Sequence, residues 1–302
     1  MAITTSSFAK LLWPGLNATY GRSYDEYPVE HTKLFETSPS SRNFEEDLGL
    51  SGLGLARVKS EGAAIQYDTE KQGFTTRYTH TVYALGFIIT REIYEDDLYD
   101  VVGQRKAQAL AFSMRQTKET VAANVYNRAW TSGYTGGDGV ILASASHLNI
   151  SGGTFSNVPT NSVDLSEAAL EQAMIDIANF TNDRGLKIAV RAKNLIIPVN
   201  LEFEAYRILN AKLRTGTFDN DPNALKDMGF LPGGVVVNHY LTDTDAWFLR
   251  TNVPHGMKHF ERRADQFDMD NDFDTENAKF KATGRYSFGW SDPRALYASQ
   301  GA

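Results

Sequence analysis

The residues best suited by type to do chemistry are acids. Asp268, Asp270, Asp272 and Asp274 alternate within residues 265–276, with Glu276 behind them. Such a run invites comparison with a calcium loop, which needs glycine at its sixth position and glutamate at its twelfth. Counted from Asp268, those positions hold Phe273 and Lys279, so the run reads instead as the solvated loop of a hairpin. His255 and His259 have the four-residue spacing of zinc ligands on a helix. Pro254 and Gly256 argue against a helix there and no third ligand follows, so the pair reads as a turn with one half-buried histidine. Gly49, Gly52 and Gly54 run in the wrong order for a dinucleotide loop. The glycines of 133–139 lack the Lys-Ser/Thr of a phosphate loop, and neither 151–153 nor 284–287 forms a Gly-x-Ser-x-Gly elbow. Arg262 and Arg263 beside Phe260 are outnumbered by the neighbouring acids, which disfavours nucleic-acid binding. No catalytic residue, metal site or cofactor is expected.

The totals narrow the classes further. A chain of 302 residues can bury a real core as one large or two ordinary domains. With 42% apolar and 22% charged residues it is globular rather than disordered. The net charge of −7 disfavours a dedicated DNA or RNA binder and suits a protein lying near nucleic acid without sticking to it. The absence of cysteine removes disulfides and thiolate chemistry together, and cytoplasmic assembly fits best. No apolar run is long enough to span a membrane, and the first residues lack a signal-peptide pattern.

The elements that would position any site are organised around a long helix over residues 95–130. Leu110, Met114, Thr117, Val121 and Val125 follow helical steps, Glu95, Asp96 and Asp97 suit its first turn, and Gly133, Gly136 and Gly137 end it. Such a helix is roughly 50 Å long, well beyond the usual globular length. Its polar positions, including Arg105, Lys106, Arg115, Lys118 and Glu119, read as a solvated face. Before it, Phe74, Thr76, Tyr78, His80 and Val82 alternate as a half-exposed strand, and 83–89 is apolar on both faces, as in a strand entering a covered core. The first 45 residues read as an arm: Pro14, Gly15, Gly21, Pro28 and Pro39 forbid a long regular element, yet Trp13, Tyr20, Tyr24, Tyr27 and Phe35 are too aromatic for a free tail. After the helix and a Gly/Ser/Asn-rich loop, a helix over 166–179, a strand at 194–199, a helix over 201–213 with a Phe203/Tyr206/Leu209/Leu213 stripe, and strands at 235–237 and 247–249 describe an α/β unit. Strands near 258–263 and 278–290 follow, and the last dozen residues trail off.

This order of arm, protruding hairpin, long helix, α/β insertion and returning strands resembles the major capsid protein of tailed bacteriophages, with its α+β Hong Kong 97-type fold. The stretches Asp245-Ala-Trp-Phe-Leu-Arg-Thr-Asn-Val-Pro-His-Gly-Met-Lys-His-Phe-Glu and Ala282-Thr-Gly-Arg-Tyr-Ser-Phe-Gly-Trp-Ser-Asp-Pro-Arg look like the tail of such head proteins. The resemblance spans essentially the whole chain and rests on several packing features agreeing. It implies an N-terminal arm at 1–47, an extended loop at 48–81, a peripheral domain at 82–163 with spine helix 95–130, an axial domain at 164–255, and return strands with the C-terminus at 256–302.

The resemblance further implies self-assembly into hexamers and pentamers of an icosahedral shell around double-stranded DNA, without sequence-specific contacts. Assembly in the host cytoplasm, location in the virion, and partners of scaffolding, decoration and portal type go with it; a membrane does not. Met1 opens the arm directly, so scaffolding would be a separate protein. Inter-subunit contacts are expected from Trp13, Tyr20, Tyr24, Tyr27 and Phe35 of the arm and from Lys59, Glu61, Lys71 and Arg77 of the loop. Some relatives crosslink a loop lysine to a neighbour's asparagine; Lys59 and Lys71 lie in the matching region, but no partner or assisting acid can be matched. Two other readings stay open: an encapsulin-type compartment holding an enzyme cargo, and an α/β enzyme. On the capsid reading, removing residues 1–35 is expected to leave a folded subunit that no longer assembles.

Overall fold

The computed structural model describes residues 9–90, 92–93, 99–213, 222–272 and 277–302. Helix α1 (Ala9–Glu26) and the single turn α2 (His31–Leu34) lead into β1 (Glu36–Pro39), β2 (Phe44–Leu50), β3 (Gln72–Thr79) and β4 (Thr81–Ile89). The long helix α3 (Tyr99–Asn127) follows, then a small hairpin of β5 (His147–Leu148) and β6 (Thr154–Phe155). Next come α4 (Glu167–Ala178), β7 (Ala192–Pro198), α5 (Glu202–Asn210), α6 (Ala224–Asp227), β8 (Val235–Asn238) and β9 (Trp247–Thr251). The long strands β10 (Met257–Asn271) and β11 (Ala278–Trp290) precede β12 (Leu296–Ser299).

Two four-stranded sheets carry the body, in the orders β1-β10-β11-β4 and β12-β9-β7-β8. Helix α3 lies over the first. Its buried stripe of Ala107, Leu110, Ala111 and Met114 meets Phe267, Phe280 and Ala282 of the sheet and Ile89 of β4. Farther along, Ala122 and Tyr126 join Leu34, Phe35, Ile196, Phe248 and Leu296 in a core shared by both sheets. The second sheet is therefore covered twice, its other face packing Leu195, Trp247 and Leu249 against Leu170 and Ile177 of α4. That explains why β9 is buried at every position, Arg250 and Thr251 included.

The structure corrects several expectations. Residues 9–26 form a helix despite Pro14, because Leu16 and Tyr20 are buried against α3 and β10, and tertiary packing outweighs poor propensity. The expected arm is not free of the body: β1 pairs in parallel with β10 and is a strand of the first sheet. Strand β4 is an edge strand, not a doubly covered one, and exposes Val82, Leu85 and Ile88. The acid run is not a loop from 265: β10 continues to Asn271, with exposed Asp268 and Asp270 alternating with Phe267 and Met269. Arg115, Lys118 and Glu119 are buried rather than solvated. On α5, a helix of nine residues, Ala205 and Ile208 face the core, which turns Phe203 and Tyr206 to solvent. The last residues do not trail off; β12 is wholly buried and pairs with β9, so the C-terminus belongs to the second sheet rather than to the first. The expected helix residues 95–98 lie outside the described residues.

The buried polar groups of α3 are all engaged. Glu119, with no exposed surface, accepts from the His31 backbone N–H at 2.8 Å and stands 2.6 Å from its Nδ1. Lys118 Nζ lies 2.7 Å from Glu261, and Arg115 donates to the Tyr24 carbonyl while stacking on its ring. This packing argues against the expectation that residues 1–35 are dispensable for folding. Their removal takes Leu16, Tyr20, Leu34 and Phe35 out of two cores and removes His31, the partner of Glu119. A chain lacking residues 1–35 should melt far below the intact subunit or fail to fold; an unchanged thermal melt would contradict this packing.

His259 supplies a second check. It is 1% exposed, stacks on Phe288 at 4.2 Å, and its pKa is pushed down to about 3 by burial, then by Lys118 and His31. The unfolded chain takes up this proton near the ordinary value of 6.5 and the folded one does not. Stability from this group is therefore complete above pH 6.5 and falls, by at most about 1.4 kcal/mol per pH unit, as the pH drops towards 3. His259→Phe should remove that slope in denaturation measured between pH 6.5 and 4.

Candidate assembly surfaces

The side chains first considered for chemistry are dispersed. His255 is exposed in a turn with φ of 58° while His259 is buried on β10, so the two cannot share a metal. Asp272 pairs with Lys279 at 2.5 Å, and Asp274 and Glu276 lie outside the described residues. Among the described residues no group of three or more His, Asp or Glu could hold a metal ion, and no helix is long and apolar enough to cross a membrane.

The arm aromatics pack within their own chain. Tyr20 stacks on Phe267 at 4.8 Å, Tyr24 bonds Asp265 through its hydroxyl, Tyr27 meets Phe112, and Phe35 is 2% exposed between Tyr126 and Phe288. Burial and the Asp265 carboxylate push both Tyr20 and Tyr24 above the ordinary phenol range. Tyr20 and Phe35 have almost no surface left to give a neighbour, which corrects their assignment as inter-subunit contacts. The Trp13 side chain lies outside the described residues.

The β2–β3 hairpin is different. Its strands pair from Phe44 opposite Thr79 to Leu50 opposite Gln72, and Arg77 sits over the Phe44 ring while bridging to Glu46 at 2.7 Å. Its root lies close against the 147–155 region: a Cβ at Gly73 would stand 2.2 Å from Ile150 Cδ1, and a larger residue would have to displace that side chain. Beyond the root, residues 51–71 have no strand or helix. Lys59, Glu61 and Lys71 are exposed there, and so are Leu53, Leu55, Val58, Ile65 and Tyr67, the last at 94%. One anchor holds the segment. Asp68 accepts from the Gly54 N–H at 2.8 Å and pairs with Arg184, which also donates to the Thr69 carbonyl. Reading the sequence missed a second exposed apolar surface, in which Phe203 and Tyr206 of α5 are 73% and 66% exposed and Met228 is 66% exposed. No signal in the sequence marks it, because the Phe203/Tyr206/Leu209/Leu213 stripe has the spacing of a core-facing one, whereas Ala205 and Ile208 take the core.

A sequence model of the family described as "Phage capsid protein" matches residues 72–299. The chain belongs to that family. Its fold is of the Hong Kong 97 type, and it is a structural capsid protein of an icosahedral shell that associates with itself into capsomers. Among solved structures, the capsid of a native GTA particle aligns with a TM-score of 0.53 at 14% identity, over 89% of each chain. A phage-related protein from Bordetella bronchiseptica aligns with a TM-score of 0.52 at 14% identity, over 94% of this chain and 95% of that one. A structure from Microbacterium phage Oxtober96 gives 0.50 at 8% identity, over 90% and 91%. At these identities the likeness speaks for the fold alone. No curated protein sequence matches. The family match gives no support to the encapsulin alternative.

For a capsid subunit, the Asp68–Arg184 anchor decides how freely the exposed loop moves. The Asp68 carboxyl is held down at about 2, first by the Gly54 N–H and then by Arg184 and the Thr69 N–H. Its contribution is present above the ordinary value of 3.8 and is lost as pH falls through 2. Arg184→Ala should raise the Asp68 pKa towards 3.8, read by NMR titration, and speed proteolysis within 51–71 while the body's melt stays unchanged.

Proposed function

We propose that the subunit builds hexameric and pentameric capsomers chiefly through two surfaces, the exposed loop 51–71 and the outward stripe of α5. The observation that carries this reading is the loop. Leu53, Leu55, Val58, Ile65 and Tyr67 have no cover within their own chain, and a hairpin that projects alone is marginal in water. A neighbouring copy supplies the missing cover. On this reading residues 1–47 form the arm and 48–81 the extended loop. Residues 82–163 form the peripheral body with α3 as its spine, and 164–255 form the axial part. Residues 256–302 return to the peripheral sheet and end on the axial one. Lys59, Glu61, Lys71 and Arg77 are contact residues of the loop, and Tyr24 and Tyr27 border the arm's contact with its neighbour.

The shell encloses double-stranded DNA without reading its sequence, in keeping with a net charge of −7 that limits adhesion to phosphate. It assembles in the host cytoplasm, is found in the virion, and meets scaffolding, decoration and portal proteins there. No chemistry on substrates is assigned to it.

Negative-stain microscopy of the purified protein tests the reading. The wild-type chain should give shells or rings. The double variant Phe203→Glu, Tyr206→Glu should lose rings while keeping the monomer's circular dichroism, since both positions are already exposed. A wild-type protein that stays monomeric at high concentration would overturn the assignment.

A further inference from the structure

A groove of about 310 Å³ opens at the root of the β2–β3 hairpin. Its lining includes Asp47, Asp138, Asp183 and Asp292, together with Lys258 and Arg294. Within the chain these groups are paired: Lys258 with Asp47, Arg294 with Asp183 at 3.2 Å and with Asp292 at 3.4 Å, and Asp138 with His147 at 2.7 Å. Four carboxylates against two cations leave the lining with a formal charge of −2. Leu48, Leu50 and Leu148, each about half exposed, also line the groove. An occupant that complements this lining carries positive charge together with an apolar group.

The chain itself contains such a segment. Arg57, Val58 and Lys59 are consecutive and exposed, Val58 completely so, and neither cation makes an ion pair among the described residues. The two charges match the groove's −2, and the valine matches its half-exposed leucines. The segment does not line the groove of its own chain. We propose that the Arg57-Val58-Lys59 tip of one subunit docks into the hairpin-root groove of a neighbouring subunit. This rests on the reading that the subunits assemble, and it names where one loop ends. The contact is heterologous, tip to root, and so links each copy to the next around a ring. The Asp68–Arg184 anchor lies behind the tip and limits where it can reach.

The absence of cysteine makes the test clean. Two single variants with different affinity tags, Val58→Cys and Leu148→Cys, are co-assembled and oxidised under mild conditions. Both sites are exposed, so the subunit tolerates the changes. The expected result is a disulfide-linked heterodimer carrying both tags, at several times the level of any dimer from either variant alone, and lost on reduction. Particles that form normally but yield no such heterodimer overturn the docking and leave the assembly reading intact. Wild-type chains that never assemble overturn the assembly reading itself. As a second arm, Arg57→Glu with Lys59→Glu should lower particle yield by roughly tenfold or more, because like charges would face each other across the contact. Its monomer should melt as wild type does. An unchanged particle yield would also overturn the proposal.

Discussion

One buried carboxylate registers the arm on the long helix. Glu119 has no exposed surface, and both of its oxygens face His31, one meeting the backbone N–H and the other the ring. A buried ion pair adds little over an apolar pair of the same shape, but separating it leaves a charge without solvent at a cost of about 3–5 kcal/mol. Any shift of α3 along the sheet, or of the arm along α3, separates it. Two neighbours on the same helix extend the constraint: Lys118 fixes α3 to Glu261 of β10, and Arg115 fixes it to the Tyr24 carbonyl of α1. The residue before His31 repeats the motif. Glu30 accepts from the His239 N–H at 3.1 Å and lies 2.6 Å from its Nδ1, which ties the arm to the end of β8. Two adjacent residues of the arm thus join α3 and both sheets.

Apolar packing then fills the frame that these bonds define. Phe35, Tyr126 and Phe248 meet edge to face where the arm, α3 and the second sheet converge, and the Tyr126 hydroxyl donates to the Leu34 carbonyl at 3.1 Å. The first sheet shows how long strands stay in register with only one face covered. Phe267 and Phe280 fill its inner face, while outside Asp268 stands opposite Lys281 and Asp270 opposite Lys279. A slip of one residue would expose the aromatics and bury the charges.

Much of this was legible in the sequence, and the failures share causes. The long helix declared itself because Leu110, Met114 and their neighbours keep strict period, and the alternation of Phe280, Ala282, Gly284, Tyr286 and Phe288 marked β11. The helix at 9–26 was hidden because its propensity is poor and its stability comes from α3 and β10, which lie far away in sequence. The buried Arg115, Lys118 and Glu119 were misread because charge normally marks the wet face; only their partners 24, 261 and 31 reveal otherwise. Strand β12 was missed because four residues carry no period, and its pairing with β9 is non-local. The contact surfaces were the least legible. A phenylalanine left on the surface has the same sequence signature as one buried in the core, as Phe203 and Phe35 show.

That ambiguity follows from what an assembling subunit must do. It has to fold before its neighbours are present, so the groups whose burial costs most when unpaired are satisfied within the chain. The arm obeys this rule, with His31, Leu34 and Phe35 closed off in the body. On the proposed reading, what remains for neighbours is surface whose exposure is tolerable in a monomer: side chains on a short helix, and an irregular loop held through Arg184. Each such patch is small, and repetition around a ring makes the sum large without any one contact being strong. On the proposed reading, tightening the loop by burying its apolar residues on its own chain would stabilise the monomer and remove a contact between subunits.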